Sequence, residues 1–254
     1  MGMYSNLQES DVVLFGEDKL RIEELDANST FFERAVAAPS DEVLHVMWSL
    51  EVAMLVIPTI FIAIVFASIA LSVKARSSPF NVYILFLSIP DWLQSILCLM
   101  TCVMCVIKND YYSMIMCRAQ SAYNTFTIAA NCWLNAMISY EIHRLLKATK
   151  ACKKYSPPTM NSVVKRSLAS FGVALFLGLL MSVQTPHWPI RNGPNWGFIC
   201  VPLQETWQDM LFFYAFFIPA LVGIPFSYVF YVAYDVLYKS KLLPKQGKVF
   251  HCVI

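Results

Sequence analysis

One aspartate, Asp91, lies in the middle of an apolar stretch that is long enough to cross a membrane. A carboxylate at that depth costs about 2.5–3.5 kcal/mol, so it normally faces a polar partner or water. Buried within protein, it requires a cation, a proton or several hydrogen-bond donors. Its type and position therefore predict either an ion site or a polar contact between helices.

A second apolar stretch, residues 117–147, carries polar side chains at steps of four residues. These side chains, called the polar stripe below, are Thr127, Asn131, Asn135 and Ser139. Steps of four place them on one slowly drifting face of a helix, which lipid would penalise. We therefore expect the stripe to face inward and the other segments to pack around this helix.

The remaining reactive side chains do not form a catalytic pattern. Cys98, Cys102 and Cys105 recur at helical spacing, but no His or carboxylate completes a metal set, so packing is the simpler interpretation. We find no Gly-rich phosphate loop, nucleophile elbow or kinase signature. Because no Ser/His, metal or paired-carboxylate arrangement lies at a consistent depth, we predict neither an enzyme nor a cofactor other than an ion. A nucleic-acid partner is not predicted.

Composition indicates a membrane protein. The 254 residues are 57% hydrophobic and 14% charged, with a mean hydropathy of +0.54, whereas soluble domains carry about 25% charged residues. Long, mostly apolar stretches predict five spans, at about 46–73, 80–107, 117–147, 167–186 and 210–238. The predicted fold is an all-α membrane protein, a five-helix transmembrane bundle that occupies residues 46–245.

The distribution of basic residues predicts the orientation. Thirteen of the 19 Lys and Arg lie at the end of span three or follow spans one, three and five, which places the N-terminus outside and the C-terminus in the cytoplasm of a plasma-membrane protein. Residues 1–45 then form an acidic, disordered extracellular tail, and 246–254 a short cytoplasmic tail. Asn28, in Asn28-Ser29-Thr30, becomes a glycosylation site. The basic connection after span three favours contact with anionic membrane lipid.

The segment 78–91 resembles the start of the second helix of rhodopsin-like (class A) G-protein-coupled receptors. That family has Thr-Pro-x-Asn-x-x-x-x-x-Leu-x-x-x-Asp there, and four residues match without a gap: Pro79, Asn81, Leu87 and Asp91. The segment 216–219, Phe-Phe-Ile-Pro, resembles the Phe-x-x-Pro of the family's fifth helix. The resemblance covers about residues 46–245 and implies the first five helices of a seven-helix receptor.

The resemblance also implies a disulfide and an ion site. Cys117 is similar to the family's cysteine at the top of helix three, and Cys200 to its partner in the second outer loop. By position, Asp91, Thr127 and Asn131 correspond to residues that bind a sodium ion. The alternative is a protonated Asp91 that is hydrogen-bonded to Asn131 as a structural contact.

Two further sites follow from the same resemblance. Asn124 stands at the family's main ligand-contact position, and the implied ligand pocket consists of Asn124, Thr125, Ile128, Phe212, Phe213 and Phe216. Packing against lipid or helices is the alternative for the apolar members. At the other end, Glu141 stands where the family has the acid of its Asp/Glu-Arg-Tyr motif. Glu141, His143 and Arg144 therefore form either a cytoplasmic coupling motif or the solvated end of a long helix.

The chain also departs from the family. Ile142 stands where the family has arginine, and the sequence ends after the fifth span, so we expect an incomplete or naturally short form. The implied function is reception of an extracellular ligand, read inside by a heterotrimeric G protein. Two alternatives remain open: a small ion channel or transporter subunit with a polar path at Asp91 and Asn131, and a partner that forms dimers with a full-length receptor.

Overall fold

The structure is a computed structural model that describes residues 37–109, 114–182, 191–203 and 207–240. The predicted glycosylation site at Asn28 and the predicted short tail at 246–254 lie outside the described residues. Most of the acidic segment 1–45 lies outside them as well.

Within the described segments the chain forms a bundle of five long helices: α1, Asp41–Leu71; α2, Pro79–Lys108; α3, Met114–Lys150; α4, Met160–Ser182; and α5, residues 207–239. One helical turn, Val73–Arg76, joins α1 to α2. Four of these helices are long and apolar enough to cross a membrane, namely α1, α2, α4 and the 210–239 part of α5. The protein is therefore a multi-pass helical membrane bundle, as predicted.

Local sequence explains where α2 begins and ends. Pro79 occupies its first turn, where a missing N–H is harmless, and the preceding Ser78 is extended. The Asn81 Nδ2 donates a hydrogen bond to the Ala75 carbonyl oxygen at 3.0 Å, which fixes the turn from α1. The helix ends at Asn109 in the left-handed conformation, with φ 53°.

Helix α3 occupies the centre of the bundle. It packs against α2, α4, α5 and the two short strands that lie between α4 and α5 in the chain, while α1 packs against α2. Helices α3 and α4 approach closely at Gly178 of α4, where an added Cβ would lie 2.8 Å from the Ala122 carbonyl oxygen. Small residues therefore set the separation of α3 and α4, as is common between membrane helices. The core shared with α5 contains Ala129, Ala130, Ala174, Leu177, Met181, Phe217 and Leu221.

The fourth helix begins earlier than predicted. We expected a span at about 167–186 with Lys165 and Arg166 in the preceding loop, but α4 runs over Met160–Ser182 and includes both residues. The reason is that the Arg166 guanidinium reaches the buried carboxylate of Glu141. Its charge is therefore compensated within the helical bundle.

Helix α5 is not a regular α-helix. Three segments have the wider π-helical turn: Phe213–Phe217, Pro219–Gly223 and Asp235–Lys239. Pro219 and Pro225 have no N–H to donate, so nearby carbonyl groups are free for other partners. One of them, the Ala220 oxygen, accepts a hydrogen bond from the Trp133 Nε1 of α3 at 3.2 Å.

A β-hairpin, which the all-α prediction did not include, covers one end of the bundle. Its strands β1, Arg191–Asn195, and β2, Ile199–Leu203, pair antiparallel. Trp196 and Gly197 both have positive φ, 52° and 68°, as a tight hairpin turn requires. We call this end of the bundle the hairpin end and the opposite end, where Lys147 and Lys150 lie, the basic end.

Candidate functional site

The structure brings Asp91 and Asn131 together between α2 and α3. The Asn131 Nδ2 donates to the Asp91 Oδ1 at 2.5 Å. The Asn131 Oδ1 is buried and has no hydrogen-bond partner among the described residues. A carboxylate beside an unpartnered amide oxygen offers two hard oxygen donors, so these two residues fit a small cation.

Thr127, the third predicted sodium ligand, has other partners. Its hydroxyl donates to the Gln94 Oε1 and lies 3.0 Å from the Asn124 carbonyl oxygen. The Gln94 Nε2 in turn donates to the Asn124 Oδ1 at 2.7 Å. Sequence reasoning missed Gln94. It could have been identified as a polar side chain at membrane depth, three residues after Asp91 in the same span.

Polar contacts continue from Asp91 toward the hairpin end. Next to Gln94, the Tyr123 hydroxyl lies 3.3 Å from the Thr101 Oγ1 and 3.7 Å from the Cys98 sulfur. We call this row the polar file: Asp91, Gln94, Cys98 and Thr101 on α2, with Asn131, Thr127, Asn124 and Tyr123 on α3. Its Asn124 Nδ2 is also buried without a described partner.

The polar stripe does not stay inward along its whole length. Thr127 is buried and Asn131 is half-buried, but Asn135 is exposed and its Nδ2 donates back to the Asn131 carbonyl at 2.9 Å. Each step of four residues turns about 40° around a helix, so the third member has rotated away from α2. The expectation that all four face inward is therefore wrong for Asn135.

The predicted ligand pocket is only partly assembled. Asn124 and Thr125 are buried, and Phe212 and Phe213 pack against the core of α3, α4 and α5. Ile128 and Phe216, in contrast, are 45% and 56% exposed and lie on the outside of the described bundle. They are not turned inward with Asn124, because the described helices leave that side of α3 and α5 uncovered. The pocket as a whole stays a prediction.

The hairpin end is closed by a disulfide and a set of polar anchors. Cys117 and Cys200 form the disulfide that the resemblance implied, with their Cα atoms 5.2 Å apart. The Cys200 backbone N–H donates to the Gln120 Oε1 at 2.9 Å. From α1, the Trp48 Nε1 donates to the Phe198 carbonyl at 3.3 Å. These contacts fix the hairpin to both α1 and α3.

A further anchor, Asn192 of β1, joins the hairpin to two helices. Its Oδ1 accepts from the Ser121 hydroxyl of α3 at 2.7 Å, and its Nδ2 donates to the Met181 carbonyl of α4 at 2.5 Å. Both Ser121 and Asn192 are buried. Sequence reasoning missed these anchors because nothing local to either residue indicates its distant partner.

At the basic end, Glu141 is the centre of a buried charge cluster. Its side chain has no exposed surface and accepts from the Arg144 Nη1 at 3.1 Å, from Arg166, and from the Tyr155 hydroxyl at 3.3 Å. Partial burial, together with the nearby carboxylate of Glu141, raises the pKa of Tyr155 in the connection between α3 and α4. The interpretation of Glu141 as the solvated end of a long helix is therefore wrong.

A second buried acid, Asp235 of α5, was not recognised from the sequence. Its Oδ2 lies 2.6 Å from the His143 Nε2 and 3.3 Å from the Lys147 Nζ, and its Oδ1 accepts from the Ser240 hydroxyl at 2.7 Å. Asp235 is only 2% exposed. His143, predicted to belong to a coupling motif with Glu141 and Arg144, thus pairs with a different helix from the other two.

Comparison with known proteins identifies a similar fold among solved structures. No family model and no curated protein matches the chain. Among solved structures, squid rhodopsin is similar over 86% of this chain, with a TM-score of 0.67 and 12% sequence identity. The match takes in 55% of the squid rhodopsin chain, so the present chain spans about half the length of that receptor. At this identity the likeness shows a rhodopsin-like arrangement of helices.

Proposed function

We propose that this protein is a membrane receptor of the G-protein-coupled type, which receives an extracellular ligand and transmits the signal to a heterotrimeric G protein. One observation carries the proposal. The segment 78–91, which resembles the family in sequence, lies against α3 with Asp91 on Asn131, inside a rhodopsin-like arrangement of helices. A role as dimer partner of a full-length receptor is a separate alternative.

The proposed orientation places the hairpin end outside the plasma membrane and the basic end in the cytoplasm. Its support is the excess of Lys and Arg at the basic end and a disulfide at the other, since disulfides persist in oxidising compartments. In intact cells, an N-terminal epitope tag is expected to bind antibody without permeabilisation and a C-terminal tag only after it. The reverse result contradicts both the orientation and the receptor.

The test of coupling uses the purified full chain in lipid nanodiscs with a heterotrimeric G protein. We expect the chain to accelerate nucleotide exchange on the G protein above the rate in empty nanodiscs. A matched variant, Arg144→Gln, is expected to lower that rate by about tenfold if the Glu141–Arg144 contact belongs to the coupling surface. If no member of a panel of G-protein classes responds, the chain does not couple by itself.

A sodium ion is the proposed partner of Asp91. The residues that would hold it are Asp91 and Asn131, through a carboxylate oxygen and the unpartnered amide oxygen. When bound, the ion supplies the positive charge that compensates a carboxylate at membrane depth. Thr127 is proposed as a third ligand through its hydroxyl oxygen, since the bond to Gln94 uses the hydroxyl hydrogen and leaves the oxygen lone pairs available.

A second candidate function is an ion path, as in a small channel or transporter subunit. The polar file favours it, because Asn124 and Asn131 each leave one buried polar atom without a described partner. Water would satisfy both atoms, and a cation would satisfy the Asn131 oxygen. Reconstituted vesicles are expected to show cation conductance that Asp91→Asn abolishes, and the absence of conductance in the wild-type chain removes this candidate.

A further inference from the structure

At the basic end, α5 is attached to α3 through one buried carboxylate. Both oxygens of Asp235 are engaged: Oδ2 by His143 and Lys147 of α3, and Oδ1 by Ser240 at the end of α5 itself. The turn that leads to Ser240 is π-helical, Asp235–Lys239, and its wider geometry brings the Ser240 hydroxyl back onto the carboxylate. The Lys150 Nζ donates to the Ser240 carbonyl oxygen and adds a third contact between the two helices.

Apolar packing between α3 and α5 is concentrated elsewhere. Near the middle of the bundle the two helices share a core that includes Ala130, Phe217 and Leu221. Around Asp235 the buried apolar contact is small: Val232 and Val236, with Leu146 and Tyr228 partly buried beside them. The other side chains of this part of α5 are exposed, among them Tyr231, Tyr234, Leu237 and Tyr238. Charged contacts therefore decide where this end of α5 lies.

The opposite side of α3 is held independently. Glu141 ties α3 to α4 through Arg166 and to the connection between them through Tyr155. Within the described segments, every ion pair of α5 is made by the Asp235 carboxylate. Loss of the Asp235 contacts would therefore move the end of α5 while α3 stays fixed to α4.

We propose that Asp235, His143, Lys147 and Ser240 form a latch that holds the basic end of α5 against α3 and opens to let the two ends separate. The latch is a conformational device of the bundle. It does not depend on the identity of a ligand or on coupling to a G protein. Its four members come from α3 and α5 alone, so its state is a property of this pair of helices.

The test measures the distance between the two helix ends in the full chain in nanodiscs. Nitroxide labels on noncanonical amino acids replace Ile142 of α3 and Tyr238 of α5, both exposed, and double electron–electron resonance gives the distance distribution. Asp235→Asn is expected to raise the ratio of separated to attached ends about tenfold, because it removes charge-assisted hydrogen bonds. His143→Gln is expected to shift the ratio in the same direction.

Three controls keep the test decisive. Lys239→Gln removes an exposed charge from the same turn without touching the latch, and it is expected to leave the distribution unchanged. The exchange of both residues, His143→Asp with Asp235→His, is expected to restore the wild-type distribution. If Asp235→Asn does not fold, the distance distributions of Lys147→Gln and Ser240→Ala test the latch instead, because both changes alter only the edge of the cluster. They are expected to shift in the same direction.

The latch is overturned by either of two outcomes. One is a wild-type distribution in Asp235→Asn and His143→Gln, or in the two edge variants where those are used. The other is an equal shift in Lys239→Gln, which would mean that the total charge of the basic end, and not the Asp235 contact, sets the distance.

Discussion

Replacement of Glu141 by Gln tests the buried charge cluster at the basic end. The change keeps the shape of the side chain and one acceptor oxygen but removes the charge that Arg144 and Arg166 face. Because Glu141 has no exposed surface, water cannot take the place of these partners around the side chain. We therefore expect a loss of stability rather than a neutral surface change.

The magnitude follows from the three contacts. A hydrogen bond to a charged group contributes about 1.5–3 kcal/mol net, but the Arg144 and Arg166 side chains are 42% and 35% exposed and regain solvation when the carboxylate is lost. With that discount, and with Tyr155 kept as a partner of the amide, Glu141→Gln is expected to lower the free energy of unfolding by about 2 kcal/mol. For a chain of this length the melting temperature falls by about 4–8 °C.

A thiol-reactive dye measures this change. Cys98 and Cys102 are buried free thiols, so they react with the dye only as the bundle opens on heating. Lys153→Gln is the matched control, because it removes an exposed charge from the nearby connection. Its melting temperature is expected to equal that of the wild type within about 1 °C.

A double-mutant cycle separates a specific contact from a general effect. If Glu141 and Arg166 interact as the structure describes, the combined variant Glu141→Gln, Arg166→Gln loses about 1 kcal/mol less than the sum of the two single changes. Strict additivity, or a Glu141→Gln chain that melts with the wild type, refutes the interpretation of this cluster as a buried ionic network.

Three further predictions use the same melting assay or its products. Gly178→Ala places a Cβ 2.8 Å from a backbone oxygen of α3 and is expected to destabilise the protein by about 1–3 kcal/mol. The control Gly172→Ala on the same helix, where nothing lies within 4 Å of the added Cβ, is expected to stabilise the protein by up to about 1 kcal/mol. Equal effects would contradict the close packing of α3 and α4. Cys117→Ser and Cys200→Ser are each expected to lower the free energy of unfolding by about 2–4 kcal/mol, and the double replacement is expected to lower it by no more than either alone. A peptide map of the non-reduced protein that lacks the crosslinked pair would disprove the disulfide. Sodium chloride is expected to raise the melting temperature relative to choline chloride at equal ionic strength, and Asp91→Asn to abolish the difference; a sodium effect that survives in this variant excludes the Asp91 site.

Sequence alone predicted the helices because their signal is local. Apolar runs of membrane length specify α1, α2, α4 and α5, and Pro79 specifies where α2 begins. The contact of Asp91 with Asn131 and the disulfide of Cys117 with Cys200 came from the family resemblance. In both cases the sequence motifs of the family indicated which distant residues are in contact. Amino-acid composition does not contain that information.

The features that sequence missed depend on partners far along the chain. The buried state of Asp235 depends on His143, 92 residues away, and a carboxylate at the end of an apolar helix otherwise suggests a solvated charge. The position of the hairpin on the bundle depends on Asn192 contacts with α3 and α4. Ile128 was assigned to a pocket by position in the family, yet its exposure depends on which helices of this chain cover α3.

The polarity of α3 has a consequence for how the protein enters the membrane. The four helices that meet the length and hydropathy requirement for a span do not include α3, whose polar residues bond to α2 instead. We expect α3 to stay at the insertion machinery until α4 has been synthesised, and the pair to pass into the bilayer together. In the proposed orientation, a failure at this step would invert α4 and α5 and leave Cys200 on the cytoplasmic side. Variants at the α3–α4 contact are therefore expected to produce chains of mixed sidedness, which is a defect of biogenesis and not of the folded protein.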